Sequence, residues 1–572
     1  MQQLIEKILN FSELFPELAK ELTTVFRWIF VMLAIYILVS SIISLLRTRP
    51  TPEIWGYFLV EDGGNFPLTH WENVIGRSKS ADIMIPLKTV SKNQVILCRR
   101  EDERWMIKDL GSKNGTVVNG VPLVPEKRYI VDVGDEIVIS GVHCTIAPAS
   151  LEEAANNRAM RKGDREPVAP WKILLAITAF QAMTIVQLTM ALGSDITATV
   201  VLSMVALCVI MWVYVSVFKA LGRKGFEMEM IAFFMTTINL AVTTSARPGD
   251  TFKQLVAMVI GIALMIFMCI YMRDLKRTRK IRPILLGLSV LLLLFNLVFG
   301  TMKYGAANWV RIGSMTIQPS EVVKLAFIVI GAGTLEELYE KRNTILYAAF
   351  SLFCLGCLAL MGDFGTALIF FATYLVVSFL RSGDLSRMIL TVVGAAAMGL
   401  MVLRFETYIA SRFAIWGHVW DDPADKGFQQ TRTMAFGAGG GLLGHGAGNG
   451  SLKYVAASDT DLVFGFVMEE WGLIIAVLLV LCLVTLTIFA VISIIAGRST
   501  FYTIAACGAA TMILVQTMLN IFGAVDLFPL TGVTFPFIST GGTSMMASWA
   551  MLSFFKASDM RRNASLALRK EE

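Results

Sequence analysis

Four carboxylates, Asp459, Asp461, Glu469 and Glu470, crowd the stretch ASDTDLVFGFVMEEWG from Ala457 to Gly472, just ahead of about two dozen residues without a charge. Centring one Asp in a bilayer costs roughly 2.5 to 3.5 kcal/mol on insertion scales, so a chain keeps such groups only where they are paired, wet or chemically useful. The chemistry open to a carboxylate in that position is general acid–base catalysis. Glu469 and Glu470 follow Asp461 by eight and nine residues, which on a helix is roughly 12 to 14 Å of depth. A glycoside-hydrolysing carboxyl pair stands roughly 5 to 9.5 Å apart, so the spacing argues against a hydrolase. The two glutamates are expected to tie helices together or to meet a buried cation. Asp459 is either a solvated neighbour of Asp461 or a like charge that disfavours its ionisation.

A second charged pair, Glu321 and Lys324, falls three residues apart and hence on one helix face, just inside a start marked by Pro319 and Ser320. Asp363 in GDFGT reads either as a helix cap or as an outward-facing acid. Cys354 and Cys357 form a C-x-x-C inside an apolar helix with no second pair, and His70, His143, His418 and His445 show no ligand spacing, so helix packing is the reading in place of metal or redox work. Gly439, Gly441 and Gly444 satisfy G-x-G-x-x-G, yet no strand precedes them as a dinucleotide fold demands. In a loop of 58 residues, 404 to 461, such glycines are expected to let backbone fold closely over a membrane-surface site.

The scaffold for these groups is a membrane one. The sequence is 55% hydrophobic and 16% charged, with mean hydropathy +0.64, well above the roughly 45 to 50% apolar share of soluble domains. Runs able to cross a core of roughly 30 Å begin near residues 25, 171, 196, 228, 252, 283, 321, 345, 364, 387, 465, 501 and 540, about thirteen in all. The first is not a cleavable signal, because some two dozen residues precede it and no small-residue cleavage site follows. Basic residues gather at Arg47 and Arg49, Lys219, Arg223 and Lys224, the RDLKRTRKIR stretch from Arg273, Arg381 and Arg387, Arg498, and the tail from Lys556. By the positive-inside rule these ends are cytoplasmic, which puts the N-terminus and the loop 404–461 outside and the C-terminus inside. The net charge of +6 is thus a topology signal, with no nucleic-acid footprint.

Residues 52–150 break the pattern with short alternating segments such as NQVILC, RWMIKDL and DEIVISGVHCTIA between turn residues, the mark of a small β-sandwich. Its loops carry Gly76-Arg77, Ser91 and DLGSKNGTVVNG from Asp109 to Gly120, an arrangement that resembles a forkhead-associated (FHA) domain. A phosphothreonine wants a guanidinium fork, a hydroxyl and nearby amides, which Arg77, Ser91 and the Lys113 loop can supply. The resemblance adds Asn114 as the residue holding the ligand's backbone. Where the family has S-x-x-H, this chain has Ser91-Lys92-Asn93-Gln94, which puts the rigidity of the loop in question. A sandwich serving only as a spacer is the alternative. The polar, charged linker 151–170 predicts a domain hanging loosely below the membrane.

From about residue 228, ten spans are joined by motifs in a set order: Gly305 to Phe327 (GAANWVRIGSMTIQPSEVVKLAF), Gly362 to Phe370 (GDFGTALIF), Trp420 to Ser451, the carboxylate stretch, and Phe528 to Ser544 (FPLTGVTFPFISTGGTS). Together they resemble the SEDS family of RodA, FtsW and SpoVE over roughly residues 225–560. The expected architecture is a multi-span α-helical bundle with a cytoplasmic all-β FHA sandwich. Its parts are an N-terminal segment with the first span (1–50), the FHA domain (51–150), the linker, two additional spans (171–224), the core (225–560) and a basic cytoplasmic tail (561–572).

The resemblance implies a membrane peptidoglycan glycosyltransferase that polymerises lipid II beside a class B penicillin-binding protein, in wall synthesis for cell shape, division or sporulation. A phosphothreonine protein or a Ser/Thr kinase would bind the FHA domain. In such a reaction an acceptor hydroxyl loses its proton while attacking an anomeric carbon and expelling a lipid pyrophosphate. Asp461 matches the family's catalytic Asp, although T-D-F reads Thr460-Asp461-Leu462 here. Lys324, with Arg311 and Arg412, either holds the pyrophosphate or, for Lys324, merely neutralises Glu321, and for the arginines is plain surface charge. Glu321, Gln429 and Asp363 complete the substrate candidates, and Phe428 to Thr433 depart from the family's Y-Q-x-x-Q-S. A divalent ion, Mg2+ or Mn2+, on the pyrophosphate is an expectation of the resemblance alone. A lipid II flippase is the leading rival, since polar groups inside a bundle also line translocation paths. A phosphothreonine-binding membrane scaffold is the third reading.

Overall fold

A computed structural model describes residues 6–8 and 14–567, apart from 49–53, 62, 71, 79–80, 100–103, 154, 156–166, 304–305, 314, 336–340, 406, 496–498, 560 and 562. Most of the linker, Arg49, Arg498 and the last five residues of the tail therefore lie outside the described residues.

The first span, α1 (Pro16–Arg47), starts nine residues ahead of its apolar run, because Pro16 at the first turn fixes a helical start and the polar ELAKELTT segment continues the same helix outward. Then come α2 (Pro170–Leu192), α3 (Ala198–Ala220), α4 (Glu227–Ala246), α5 (Thr251–Tyr271) and α6 (Leu275–Phe299). After a small sheet follow α7 (Pro319–Thr334), α8 (Lys341–Leu360), α9 (Phe364–Ser382) and α10 (Leu385–Phe405). The long loop holds α11 (Thr407–Ile415) and α12 (Phe428–Gly439), and the chain closes with α13 (Val463–Ile495), α14 (Thr500–Ala524) and α15 (Gly542–Ser558). Among the described residues, nine helices are long and apolar enough to cross a membrane alone. Others, such as the fully packed α4 with Glu227 and Glu229 in its first turn, are too polar or too short by that measure and owe their place to neighbouring helices.

The β-sandwich is built of β1 (Gly56–Val60), β2 (Gly64–Pro67), β3 (Glu72–Gly76), β4 (Ile83–Met84), β5 (Val95–Arg99), β6 (Trp105–Asp109), β7 (Thr116–Val118), β8 (Val121–Pro122), β9 (Arg128–Val131), β10 (Glu136–Ile139) and β11 (Val142–Pro148). One sheet runs β2-β1-β11-β10-β7-β8 and the other β4-β3-β5-β6-β9. Alternate residues such as Phe58, Ile75, Leu97, Ile107, Ile137 and Ile146 fill the space between them, as the period-two pattern requires.

The domain does not hang loosely, contrary to what its polar linker suggests. Glu72 of β3 forms an ion pair with Arg381 at the end of α9, 3.1 Å apart, with both side chains largely covered. The two chain ends of the insert are also fastened: Val168 N–H donates to Ser44 Oγ (2.8 Å), and Arg561 Nη1 donates to Thr48 Oγ1 (2.9 Å). Ser44 in turn donates to Glu227, whose other oxygen accepts from Arg561 (3.0 Å). A composition-based reading cannot see this knot, because its members are 517 residues apart in the chain, from Ser44 to Arg561.

The described part of the tail packs into the bundle. Arg561, Ala564, Ser565, Leu566 and Ala567 are buried, with Arg223 donating to Ser565 O (2.6 Å) and Arg273 to Leu566 O (2.5 Å). Arg561 itself pairs with Asp559 and Glu227, and the tail's carbonyls are capped by arginines of the bundle. Burial alone would push the Asp559 carboxyl up, but the bidentate Arg561 and nearby Lys556 hold it below the usual carboxylate range.

Candidate active site

Asp461 sits two residues ahead of α13, in a turn closed by Ala457, whose carbonyl accepts from the N–H groups of Thr460, Asp461 and Leu462. The helix begins only at Val463, so Asp461 belongs to the turn, apart from the helix that carries Glu469 and Glu470. Three residues from two further elements pin this turn by its backbone. Asn520 of α14 donates to the Asp461 carbonyl (2.9 Å) and to Val533 O (2.7 Å), Ser539 Oγ donates to Thr460 O (2.6 Å), and Thr540 N–H donates to Asp459 O (2.8 Å). The half-buried Asp461 carboxylate faces Gly532, where an added Cβ would stand 3.4 Å from Oδ2. That glycine has φ +70°, so both its conformation and its missing side chain keep the mouth open.

Asp459 proves to be neither solvated nor idle. It is 5% exposed and accepts from Arg247 through Nε (3.0 Å) and Nη2. Arg247 follows α4 and completes a polar stripe at i, i+4 and i+8 with Asn239 and Thr243. Asn239 donates to Ile538 O (2.8 Å) and Ser539 O (2.7 Å), and Thr243 meets Thr540 Oγ1 at 2.9 Å. The sequence reading missed all three. Polar residues four apart in an otherwise apolar helix are the signal that could have found them.

The second motif comes to the same region through α14. Lys324 is 1% exposed, with Nζ 2.8 Å from Glu321 Oε1 and 3.1 Å from Gln516 Oε1. Gln516 lies one turn from Asn520 and donates to Thr534 O and Oγ1, each at 2.9 Å. The ion pair thus underpins the same segment that Asn520 holds. Asp363 caps α9, accepting from Thr366 N–H (3.1 Å), and its other oxygen accepts from Asn308 (2.9 Å) and Gln318 (3.4 Å). Both oxygens of this buried acid are engaged, so capping is the role the geometry gives it. Close packing of Gly365 against Thr531 and Val533 brings this end of α9 beside Gly532.

Arg311 lies on an antiparallel meander, β12 (Thr301–Lys303), β13 (Ala306–Ile312) and β14 (Met315–Ile317), that turns at Gly313 with φ +63° and leaves the arginine exposed. Arg412 of α11 donates to Leu530 O, and Gln429 of α12 donates to Ala456 O (3.0 Å), so both brace segments flanking the mouth.

The glycine-rich loop does something other than cover a surface. Residue Gly472 interrupts α13 with φ +86°, and the loop feeds its backbone into the break: His445 N–H donates to Glu469 O (2.8 Å), Gly446 N–H to Glu470 O (2.9 Å), and Leu473 N–H to Gly441 O (3.0 Å). A Cβ at Gly444 would stand 2.3 Å from Glu470 O, and one at Gly472 would stand 2.3 Å from Leu442 O. Glycine is required because two backbones touch inside the bundle, where each freed amide and carbonyl must find a partner. Glu469 accepts from Ser451 and Leu452 N–H groups, and Glu470 from Ser245 Oγ, so both tie the loop and α4 to α13.

At the other end of the molecule the phosphothreonine candidates come together. Arg77 N–H donates to Ser91 O (2.9 Å), Lys113 N–H to Ser91 Oγ (3.2 Å), and Asn114 to Thr89 O (2.7 Å), with the Arg77, Lys113 and Asn114 side chains exposed at one edge of the sandwich. Gln94 takes over the bracing left by the missing histidine. Fully buried, it accepts from Ser91 N–H (2.9 Å) and Ser140 Oγ (3.0 Å) and donates to Gly115 O (2.9 Å), cross-linking the two loops. An amide carries both a donor and an acceptor, so it can join a backbone N–H to a backbone carbonyl.

Among the described residues no three His, Cys, Asp or Glu side chains gather as a protein metal cage would require. A divalent ion at the mouth would rest chiefly on diphosphate oxygens with one or two carboxylates, the usual habit of Mg2+.

The family described as "Cell cycle protein", which groups FtsW, RodA and SpoVE, matches residues 225–562, and the FHA domain family matches residues 73–140. A probable peptidoglycan glycosyltransferase FtsW of Aliivibrio salmonicida (strain LFI1238) is 34% identical over 236 residues, 40% of this chain and 58% of that one. Stage V sporulation protein E of Bacillus subtilis (strain 168) is 29% identical over 313 residues, 50% of this chain and 84% of its own. The chain thus spans little more than half the length of the FtsW relatives of Aliivibrio salmonicida and Escherichia coli. A chain of a solved peptidoglycan synthase complex, described as coordinating polymerization and crosslinking, aligns with a TM-score of 0.49 at 25% identity over 59% of this chain and 98% of its own.

Proposed function

The chain belongs to the FtsW, RodA and SpoVE family, and from that membership we propose that it is a membrane glycosyltransferase that polymerises lipid II into peptidoglycan strands, with Asp461 as general base. The observation that carries this reading is the placement of Asp461: half-buried at the mouth of α13, its backbone pinned from α14 and the 528–541 segment, its carboxylate beside a residue with no side chain. A rigid backbone with an accessible carboxylate is what proton removal from a positioned hydroxyl needs. Asp459 pairs with Arg247, and Glu321 with Lys324. Arg311, exposed on its hairpin, is offered to the departing diphosphate, while Lys324 and Arg412 support the segment around Gly532. Relatives named as glycosyltransferases support this reading. A class B penicillin-binding protein is the proposed partner, and Mg2+ or Mn2+ the proposed counter-ion of the diphosphate.

The test is strand formation from lipid II by the purified chain in nanodiscs, with and without a class B penicillin-binding protein. Glycan strands are expected. Lipid II crossing a bilayer with no strand formed under either condition would instead favour the flippase.

The FHA end is assigned to phosphothreonine recognition on the cytoplasmic side, the side of Arg381 and Arg47 by the charge rule. Arg77→Ala is expected to weaken a phosphothreonine peptide by about 2 kcal/mol, because it removes the charged fork while leaving the Arg77–Ser91 backbone bond in place. Calorimetry on the full chain with a phosphothreonine peptide library checks this. Wild-type binding that ignores the phosphate would sink the assignment.

A further inference from the structure

Arg247 stands half in the open at the end of α4: its side chain is 49% exposed, while that of its acid partner Asp459 is almost fully covered. Nε and Nη2 both donate to one oxygen, Oδ2 of Asp459, the first at 3.0 Å. A guanidinium held by that edge keeps its Nη1 end for a second oxyanion, in the fork geometry that fits a phosphate. Asp459 is the only side-chain partner of Arg247 among the described residues. Both ends of the pair are anchored by backbone: the Asp459 carbonyl accepts from Thr540 N–H (2.8 Å), and the Arg247 N–H donates to Thr243 O (2.8 Å). Covering a carboxylate to aim an exposed cation costs desolvation, which a plain surface charge does not require.

Arg311 differs. Its Nε donates to Gly313 O (3.3 Å), and no acid side chain pairs with it among the described residues. Its meander joins α9 through Asn308 and Asp363, whereas Arg247 joins the Asp461 turn itself through Asp459. Strand extension brings two lipid diphosphates together. The acceptor hydroxyl oxygen bonds to the donor's anomeric carbon, its proton passes to Asp461, and the bond from that carbon to the donor diphosphate breaks with the electron pair leaving on the diphosphate. The departing diphosphate gains charge, which calls for an unneutralised cation such as Arg311. The acceptor's diphosphate keeps its charge throughout, so an arginine already neutralised by Asp459 can hold it by directed hydrogen bonds. We propose that Arg247 is a substrate-binding residue for the diphosphate of the acceptor lipid, fixing that lipid to the turn that carries the base. This rests on the glycosyltransferase reading above, with Asp461 as the base.

The test is steady-state polymerisation by the full chain in nanodiscs, alongside binding of a polyprenyl diphosphate that carries no sugar. Arg247→Gln alone strands a covered carboxylate, so it is combined with Asp459→Asn, which leaves an amide pair in place of the ion pair. The double variant should melt close to the wild-type temperature, keep its rate at saturating lipid II within about twofold, and show KM raised about tenfold. It should also bind polyprenyl diphosphate about tenfold more weakly. Arg247→Lys, which keeps a charge on Asp459 but lacks the fork, should raise KM by about threefold with no loss of melting temperature. Unchanged KM and unchanged diphosphate binding in either folded variant would reduce Arg247 to a tie between α4 and the turn and overturn the proposal. A lowered rate at saturation with unchanged KM would overturn it too, by moving Arg247 to the departing diphosphate. If the wild-type chain makes no strands, the glycosyltransferase reading fails by itself, and the ratio of polyprenyl diphosphate affinities still decides whether Arg247 holds a lipid diphosphate.

Discussion

Asp461→Asn should lower strand synthesis from lipid II by about a hundredfold or more, or roughly 2.7 kcal/mol in barrier, the usual scale for losing a general base. The substitution keeps the size of the side chain and leaves the backbone restraints intact, since Asn520 bonds the Asp461 carbonyl and Ala457 receives its N–H. The turn should therefore keep its shape and the protein its melting temperature. What is lost is the ability to take a proton from the acceptor hydroxyl. Polymerisation and lipid II flipping should be followed on the same reconstituted protein, together with thermal unfolding. Strands forming at the wild-type rate from a folded Asp461→Asn protein would mean that another group is the base.

The second large effect concerns stability. Lys324→Ala strips the cation from Glu321 inside α7, and with both side chains almost fully covered the stranded carboxylate should cost about 3 to 5 kcal/mol. Gln516 loses its partner as well, which loosens its grip on Thr534. Replacing both charges, as Lys324→Met with Glu321→Leu, should recover most of that loss, because well-packed apolar residues commonly substitute for a buried pair without penalty. Thermal unfolding in detergent distinguishes the cases, and unchanged melting in Lys324→Ala would refute the pair as a structural element. Polymerisation by the stable double variant then reports on the pyrophosphate role separately: activity near wild type removes Lys324 from substrate binding.

The amino-acid sequence alone determined a good deal. Helix starts at 170, 198, 227, 251, 319, 341, 364, 385, 463, 500 and 542 follow the apolar runs closely, since a span is a local property of some twenty consecutive residues, while those at 16 and 275 lie a polar two turns ahead of theirs. The sandwich was legible from its period of two, and the family from five ordered motifs. Glu321 and Lys324 could be placed on one face because three residues make nearly one helical turn.

Tertiary structure decided the rest. The solvated or bonded state of Asp459 depended on Arg247, 212 residues away, and the service of Gln94 in place of a histidine depended on loops from separate strands. The glycines of 439–450 carry the plainest lesson: read alone they permit many shapes, and only the break at Gly472 shows which backbone they admit. Charge and burial of a polar group are set by whatever packs against it, and for a helix in a bundle those neighbours come from anywhere in the chain. That is why the place of Asp461 just ahead of a long apolar helix could be read from the chain, while its pinned backbone and the bonded state of Asp459 could not.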